Sequence, residues 1–321
     1  MKRLLGVLLM VCLLYLGLML SDENARSSGN QQTIANRLGF FGVLSVGVGI
    51  LIISGGIDLS IGSVVGLGAV VFALLLEKQV APLLAAAIVL AGGAAIGLIH
   101  GLLVTQLGLQ PFLVTLCGLF IYRGLARWAT SVSVGLDVRG APTAFKDRIE
   151  QLRQLLIGNF LGIPDQLLLL IAVSVLLGLF LHGTRYGRYL FAIGSNEDAA
   201  RYAGIPTDRY KILAYVICSA LAGLGSVLYL LDNRTANATS AGSWLELYAI
   251  TGAVLGGCSL RGGEGTIPGM FLGAAVLPLL RQLCTFVKIP NEVEFAVIGA
   301  ALLLGTIADE LLKRRAALRG G

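Results

Sequence analysis

Charged residues are scarce in this sequence. Only 13% of its 321 residues are Asp, Glu, Lys or Arg, and 56% are hydrophobic. Soluble domains carry about 25% charged and about 45–50% apolar residues. A soluble core cannot bury so much apolar surface, so lipid must solvate most of the chain. The composition therefore predicts an integral protein of the lipid bilayer and excludes a soluble globular domain.

Motifs of nucleotide hydrolysis and of catalysis are absent as well. No lysine directly follows a glycine, so the chain cannot contain a GxxxxGK[ST] phosphate loop, and any ATP hydrolysis must occur in another polypeptide. Neither an HExxH nor a GxSxG arrangement occurs. The five cysteines lie far apart and lack metal-binding spacing. We therefore expect a protein that is not an enzyme and needs no cofactor or metal.

Long apolar runs are the dominant feature of the chain. A membrane-spanning helix needs about 20 apolar residues, and ten runs approach that length, of which the eighth is the shortest. They predict an all-α polytopic membrane protein with some short or broken helices, in which residues 1–321 form a single transmembrane domain. The predicted spans are 4–20, 38–54, 60–76, 82–105, 111–131, 166–182, 212–231, 247–258, 267–284 and 293–309.

The basic residues predict the orientation of these spans. Lys and Arg are enriched at both chain ends and in the loop 183–211, which places both termini and this loop in the cytoplasm. The segment 310–321 is then a basic cytoplasmic tail, and residues 132–165 form a long polar extracytoplasmic loop. The net charge of +6 is explained by this membrane topology, and we expect no nucleic-acid partner.

Glycines recur every four residues in two places. Gly93, Gly97 and Gly101 form one series, and Gly265, Gly269 and Gly273 form the other. Small residues at this spacing allow the backbones of membrane helices to approach closely. Each series predicts a packing stripe on a helix.

The stretch SGGIDLSIGS interrupts two apolar runs with a carboxylate. A continuous helix over residues 38–76 would be about 58 Å long, roughly twice the hydrocarbon core, so the chain must turn at Gly55-Gly56. Asp58 then precedes the next helix, where capping contributes about 1 kcal/mol, whereas an Asp at a helix centre in lipid costs about 2.5–3.5 kcal/mol. Three roles stay open for it: a capped turn, a broken-helix element beside a permeation path, and a proton-coupling carboxylate.

A second glycine pair follows the eighth span. Gly256-Gly257-Cys258-Ser259-Leu260 echoes Gly55-Gly56-Ile57-Asp58-Leu59, and both strings precede a glycine-rich apolar run. The echo is typical of a remnant of an internal duplication. The candidate path residues are Gly55, Gly56, Asp58, Ser60, Gly256 and Gly257.

The loop 183–211 is predicted to contain a short helix. Ser195 or Asn196 is suited to cap it, Glu197 and Asp198 fall in its first turn, and Gly204 is suited to end it. A helix of two turns is marginal in water, so it must dock either on its own spans or on a partner.

Three blocks of the sequence carry a family resemblance. ILIISGGIDLSIGSVVGLGA, RYGRYLFAIGSNEDAARYAGI and LGGCSLRGGEGTIPGMFLGA occur in this order. They resemble the inner-membrane permeases of ribose-, xylose-, arabinose- and galactose-type ABC importers, which include autoinducer-2 permeases. The resemblance extends from about residue 34 to 310. The loop 132–165 is longer and more charged than this family leads us to expect, and Cys258 replaces its usual small or β-branched residue.

The resemblance implies a transport subunit in the inner membrane. It implies pairing with a second permease copy or a paralogue, with a cytoplasmic ABC ATPase subunit and with a periplasmic sugar-binding protein that delivers a ribose-like monosaccharide. It also makes the short helix the segment that couples to the ATPase, namely Ser195, Asn196, Glu197, Asp198, Ala199, Ala200, Arg201 and Gly204. The alternative is a proton- or ion-coupled secondary transporter that uses Asp58.

Overall fold

The computed structural model describes residues 2–290, 293, 296–300 and 303. Within these residues nearly all of the regular secondary structure is helical, which confirms the predicted all-α polytopic class. The helices are α1 (Lys2–Ser21), α2 (Ser28–Ile53), α3 (Ile61–Glu77), α4 (Pro82–Thr105), α5 (Pro111–Ala129), α6 (Thr143–Ile157), α7 (Asp165–Gly178), α8 (Arg185–Ser195), α9 (Glu197–Tyr202), α10 (Thr207–Asn233), α11 (Leu245–Leu255) and α12 (Ile267–Phe286). A 3₁₀ turn (Glu23–Arg26) precedes α2, and a π-helical turn (Leu179–Gly183) extends α7.

The predicted spans correspond closely to these helices. Among the described residues, seven helices are long and apolar enough to cross a membrane, and α3 and α11 are shorter apolar helices. The short span predicted at 247–258 corresponds to α11, which ends at Leu255. Most of the predicted span 293–309 and all of the basic tail 310–321 lie outside the described residues.

Helix α2 forms the centre of the packed bundle. Its residues from Val43 to Ile53 are all buried, and it contacts α7, α10, α11 and α12. Helix α4 packs along α10, and the glycine stripe of α4 makes this possible. A β-carbon on Gly93 would overlap the carbonyl oxygen of Ser219, and one on Gly97 would overlap that of Tyr215. The first predicted stripe is therefore a packing surface.

The second glycine series is only partly on a helix. A β-carbon on Gly269 or Gly273 would overlap backbone carbonyls of Gly256 or Gly252 respectively, so these two glycines pack α12 against α11. Gly265 precedes α12 and has a φ of +159° in the connecting loop. The expectation that all three lie on one helix is wrong at Gly265, because the helix begins only at Ile267.

The region 132–165, predicted as a long polar loop, contains regular structure. Strand β1 (Val134–Gly135) pairs antiparallel with β4 (Thr235–Ala236), and β2 (Asn159–Phe160) pairs with β3 (Ile163–Pro164). Between them lies α6, which buries Ile149 and Leu152. Arg153 Nε donates a hydrogen bond to the carbonyl of Leu231 at 3.0 Å, so α6 is fixed on the end of α10.

Candidate functional site

The glycine pair Gly55-Gly56 breaks the chain between α2 and α3, as predicted. Helix α2 ends at Ile53, Gly55 has a left-handed φ of +81°, and α3 begins at Ile61. Glycine adopts this conformation without steric cost. The amide N–H groups of Gly55 and Gly56 donate to the carbonyls of Ile52 and Leu51, which closes the C-terminus of α2.

The carboxylate of Asp58 lies wholly inside the protein, with 0% of its surface exposed. Its Oδ1 atom accepts hydrogen bonds from the backbone N–H of Ser60 at 2.8 Å and from the hydroxyl of Ser60 at 2.6 Å. Ser60 is the residue immediately before α3, and its own side chain makes no capping bond. Asp58 therefore orients the start of α3 through Ser60, whereas its place in the sequence predicts hydrogen bonds from the first turn itself.

The second carboxylate oxygen faces two neighbouring helices. Oδ2 accepts from the hydroxyl of Ser219 at 3.4 Å and lies 3.7 Å from Nδ1 of His100. On its other side, Nε2 of His100 is 2.9 Å from the hydroxyl of Tyr122. We call Asp58, Ser60, His100, Tyr122 and Ser219 the Asp58 cluster, and it joins the break to α4, α5 and α10.

The cluster brings together polar residues that lie far apart in the sequence and that no local motif connects. His100 is 1% exposed and bonded to Tyr122. Its proximity to Asp58 was missed, because contacts between helices so distant in sequence leave no local pattern. Ser60 is also fully buried.

The second break lies between α11 and α12. Gly256 is buried, and Gly257 has a φ of +95°. A β-carbon on Gly256 would overlap the carbonyl of Gly269, so this glycine allows the two helices to pack closely. Of the six candidate path residues, four are buried in this conformation; Gly55 is exposed and Gly257 is partly exposed.

The two breaks meet at the end of α8. The backbone N–H of Gly263 donates to the carbonyl of Ile53 at 2.9 Å, which joins the second break to the end of α2. A β-carbon on Gly194 would overlap both of these groups, and a β-carbon on Gly263 would overlap Ser195. We call Ile53, Gly194, Gly262 and Gly263 the glycine junction. It places α8 in direct contact with both breaks.

The short helix predicted in the loop 183–211 is α9. The side chain of Asn196 accepts from the N–H of Ala199 at 2.9 Å, so Asn196 is the cap, while Ser195 is the last residue of α8. Glu197 opens the helix, and Gly204 follows its end with a φ of +82°. This part of the chain has the local signals that helix caps require.

Ion pairs fix one side of α9 to the start of α10. Glu197 Oε2 is 2.8 Å from Lys211 Nζ, and Arg201 Nη2 is 3.0 Å from Asp208 Oδ1. Ala200 faces inward and is buried, whereas Asp198 and Ala199 are exposed. Tyr202 is 93% exposed. One side of α9 is thus fixed to α10, and the other side is exposed on the surface of the chain.

A polar cavity of about 920 Å³ lies at the opposite end of the bundle. It is formed by residues 132–139, α6 and the start of β4, and charged side chains of both signs line it. Among the described residues, no group of three or more His, Cys, Asp or Glu is arranged to hold a metal ion.

Residues 30–305 of this chain match the protein family described as "Branched-chain amino acid transport system / permease component". The chain belongs to this family. It is a multi-pass permease component of the inner membrane, a transport subunit rather than an enzyme. Permease components of ABC importers work with an ATPase and a binding protein, so the expectations of class, location and these two partners are confirmed.

Several relatives resemble this permease over most of their length. The ribose import permease protein RbsC of Escherichia coli strain K12 is 34% identical over 281 residues, 87% of this chain and 83% of that protein. The autoinducer 2 import system permease protein LsrD of Yersinia enterocolitica is 31% identical, with 85% and 81% covered. The fructose import permease protein FruG of Bifidobacterium longum is 33% identical, with 82% and 77% covered. No solved structure matches the chain.

Proposed function

We propose that this chain forms the translocation path of an ATP-driven importer for a ribose-like monosaccharide. The observation that carries the proposal is the similarity to the ribose and fructose import permeases, which extends over more than four fifths of this chain in both cases. The family description refers to branched-chain amino acids, whereas the proposed substrate is a sugar. Leucine uptake is therefore the matched negative control, and we expect none. Nothing in the comparisons favours the proton-coupled alternative.

The partners follow from the same proposal. A periplasmic sugar-binding protein delivers the substrate at the outer face, where the charged cavity beside α6 offers groups of both signs for docking. Two permease copies, or one copy and a paralogue, enclose the path between them. A cytoplasmic ABC ATPase binds at α9 and supplies the energy.

Helix α9 is the segment that we propose to couple with the ATPase. Its inner side is fixed by the Glu197–Lys211 and Arg201–Asp208 ion pairs, so a force applied to its exposed side reaches α10. Tyr202, almost fully exposed, is the aromatic anchor, since tyrosines are enriched among the residues that dominate interface energies.

The glycine junction gives this force a second route. Helix α8 precedes α9 directly, and its end touches both breaks at Gly194. We propose that Gly55, Gly56, Gly256 and Gly257 act as hinges that open or close the path when the ATPase moves α9. In this proposal Asp58 and Ser60 hold the start of α3 during the movement and do not contact substrate.

The test is co-purification of the ATPase with permease variants from membranes. Tyr202→Ala is expected to reduce the recovered ATPase at least tenfold, while the amount of permease in the membrane stays unchanged. Leu161→Ala is the matched control, since Leu161 is 88% exposed but lies in the connection between β2 and β3, far from α9 in sequence. Unchanged ATPase recovery with Tyr202→Ala, together with normal uptake, would show that α9 is not the docking segment.

A further inference from the structure

A non-helical segment lies between β4 and α11. Residues 238–244 form consecutive turns, in which Gly242 and Trp244 have left-handed φ values of +71° and +69°. A tryptophan rarely adopts this conformation, so the surrounding contacts must hold it there. We call residues 238–244 the turn segment.

The turn segment is packed on the first two turns of α3. A β-carbon on Gly66 would overlap the carbonyl of Ala241, and one on Gly62 would overlap the carbonyl of Gly242 and the carboxylate of Glu246. Only glycine at these positions allows so close an approach between a helix and an irregular backbone. The segment is therefore a fixed part of the bundle and does not extend above it.

The depth of the segment follows from helix geometry. From Gly66 to Glu77, the end of α3, the helix rises about 16 Å. Helix α10 gives a second estimate of the depth. Its Ser226 donates to the carbonyl of Val64 in α3 at 3.4 Å, so it lies beside the turns of α3 that contact the segment. Ser226 is about 10 Å before the end of α10. The hydrocarbon core extends about 15 Å on each side of its midplane. The turn segment thus lies within the depth of the hydrocarbon.

Irregular backbone at this depth cannot face lipid. Lipid offers no hydrogen-bond partners, so non-helical segments occur there only when they line a water-filled cavity or are buried in protein. The described residues do not bury the turn segment: Thr239, Ser240 and Trp244 are exposed, the last at 58%, and Ser243 is partly exposed. Its exposed face must therefore meet either an aqueous path or a second copy of the permease.

Two charged residues, Arg123 and Glu246, lie beside the segment. Arg123 of α5 donates a hydrogen bond from Nη1 to the carbonyl of Ala241. Glu246, in the first turn of α11, is 8% exposed, and its Oε2 atom accepts no hydrogen bond from the described residues. The groups that point outward are hydroxyls and one indole ring.

These outward groups match the chemistry of a neutral sugar. A hydroxyl can both donate and accept, which suits the hydroxyls of a sugar, and the flat indole face suits its C–H groups. A zwitterionic amino acid would require a free cation and a free anion at the surface, whereas Arg123 is already bonded to the backbone and Glu246 is buried. The exposed surface of the segment therefore favours a polyhydroxylated substrate over a charged one.

We propose that the turn segment lines the translocation path and contacts the sugar through Ser240, Ser243 and Trp244. Arg123 is a positioning residue that holds the segment through the carbonyl of Ala241. This inference rests on the proposed function for the identity of the sugar, whereas the aqueous exposure of the segment does not depend on it. The two parts are therefore tested separately.

The first experiment measures water access by cysteine labelling. Ser243→Cys is made in a chain whose five native cysteines are replaced by alanine and which retains uptake, in right-side-out vesicles that also contain the ATPase and the binding protein. A membrane-impermeant methanethiosulfonate is expected to label it at least tenfold faster than Leu90→Cys. Leu90 is the matched control, since it lies about 12 Å along α4 from Pro82 and is 42% exposed on an apolar face.

The second measurement asks whether the sugar occupies the labelled site. D-Ribose or D-fructose, whichever the vesicles take up, is expected to slow the labelling of Ser243→Cys at least threefold, and leucine is not. Trp244→Ala is expected to raise KM for uptake at least tenfold with ATPase recovery unchanged, and Trp244→Phe to restore much of the loss. Trp128→Ala is the control, because Trp128 is 85% exposed near the end of α5.

The possible results separate the two claims. Absence of labelling, or disulfide formation between two Ser243→Cys copies without labelling, would overturn the path assignment in favour of a protein interface. Labelling that no transported sugar slows would overturn the sugar contact. Labelling in vesicles that take up leucine and no sugar would instead overturn the proposed function and leave the aqueous path in place.

Discussion

Replacing Asp58 with asparagine or alanine separates hydrogen bonding from charge in the Asp58 cluster. Oδ1 accepts two hydrogen bonds from Ser60, at 2.8 and 2.6 Å. Asparagine keeps an oxygen in this place, but a hydrogen bond to a neutral group contributes about 1 kcal/mol less than one to a charged group. With two such bonds, we expect Asp58→Asn to lower the free energy of unfolding by about 2 kcal/mol.

Alanine removes the acceptor altogether. Both bonds are lost, and the buried N–H of Ser60 is left unpaired at a cost of about 1–3 kcal/mol, so Asp58→Ala should cost about 5 kcal/mol. At about 2 °C per kcal/mol for a chain of this size, Tm should fall by about 4 °C for asparagine and about 10 °C for alanine. Ser219→Ala, which removes only the 3.4 Å bond to Oδ2, should change Tm by about 2 °C or less.

The assay is the fraction of monodisperse permease that remains after heating in detergent, measured beside sugar uptake at a permissive temperature. We expect Asp58→Asn to retain most of its uptake, because the start of α3 stays in position. Equal losses of Tm for asparagine and alanine would refute the hydrogen-bond account. Normal Tm with complete loss of uptake in Asp58→Asn would show that the negative charge itself acts in transport.

Two further substitutions test the packing that we describe. Gly194→Ala should reduce uptake at least tenfold while the protein still inserts, because its methyl group overpacks the glycine junction at a cost of about 1–3 kcal/mol. Gly183→Ala is the control and should retain normal uptake, since a β-carbon there meets nothing within 4 Å. Equal uptake in both variants would contradict the junction. Arg153→Gln should lower Tm by about 2 °C, since it loses the hydrogen bond to Leu231 that contributes about 1 kcal/mol. Arg148→Gln is the control and should leave Tm unchanged, because Arg148 is on the exposed side of α6. A similar decrease in Tm for Arg148→Gln would show that the change in net charge is the cause.

The features that could be predicted from the sequence have short-range causes. The spans follow from apolar runs as long as the bilayer is thick, and the turn at Gly55-Gly56 follows because a single helix over residues 38–76 would be too long. Helix α9 has a cap at Asn196 and a terminating glycine at Gly204, both within one short segment. In each case the signal lies within the element itself.

Features that join distant parts of the chain were missed or only partly anticipated. The contact between Asp58 and His100 depends on how α4 packs along α10, and the depth of residues 238–244 depends on the two glycines of α3 that receive them. Neither arrangement leaves a periodic pattern. Helix α6 is different, since Phe145, Ile149, Leu152 and Leu156 recur at helical spacing, and its helical structure was visible in the sequence.

The central claim is that this permease carries a monosaccharide only as part of an ATP-driven importer. The most direct test is radiolabelled D-ribose and D-fructose uptake into proteoliposomes that contain the permease, its ATPase and ATP inside, with the sugar-loaded binding protein outside. We predict uptake of one of these sugars that stops when the ATPase, ATP or binding protein is omitted and that an imposed proton gradient does not restore. Uptake by the permease alone, driven by a proton gradient, would contradict the account.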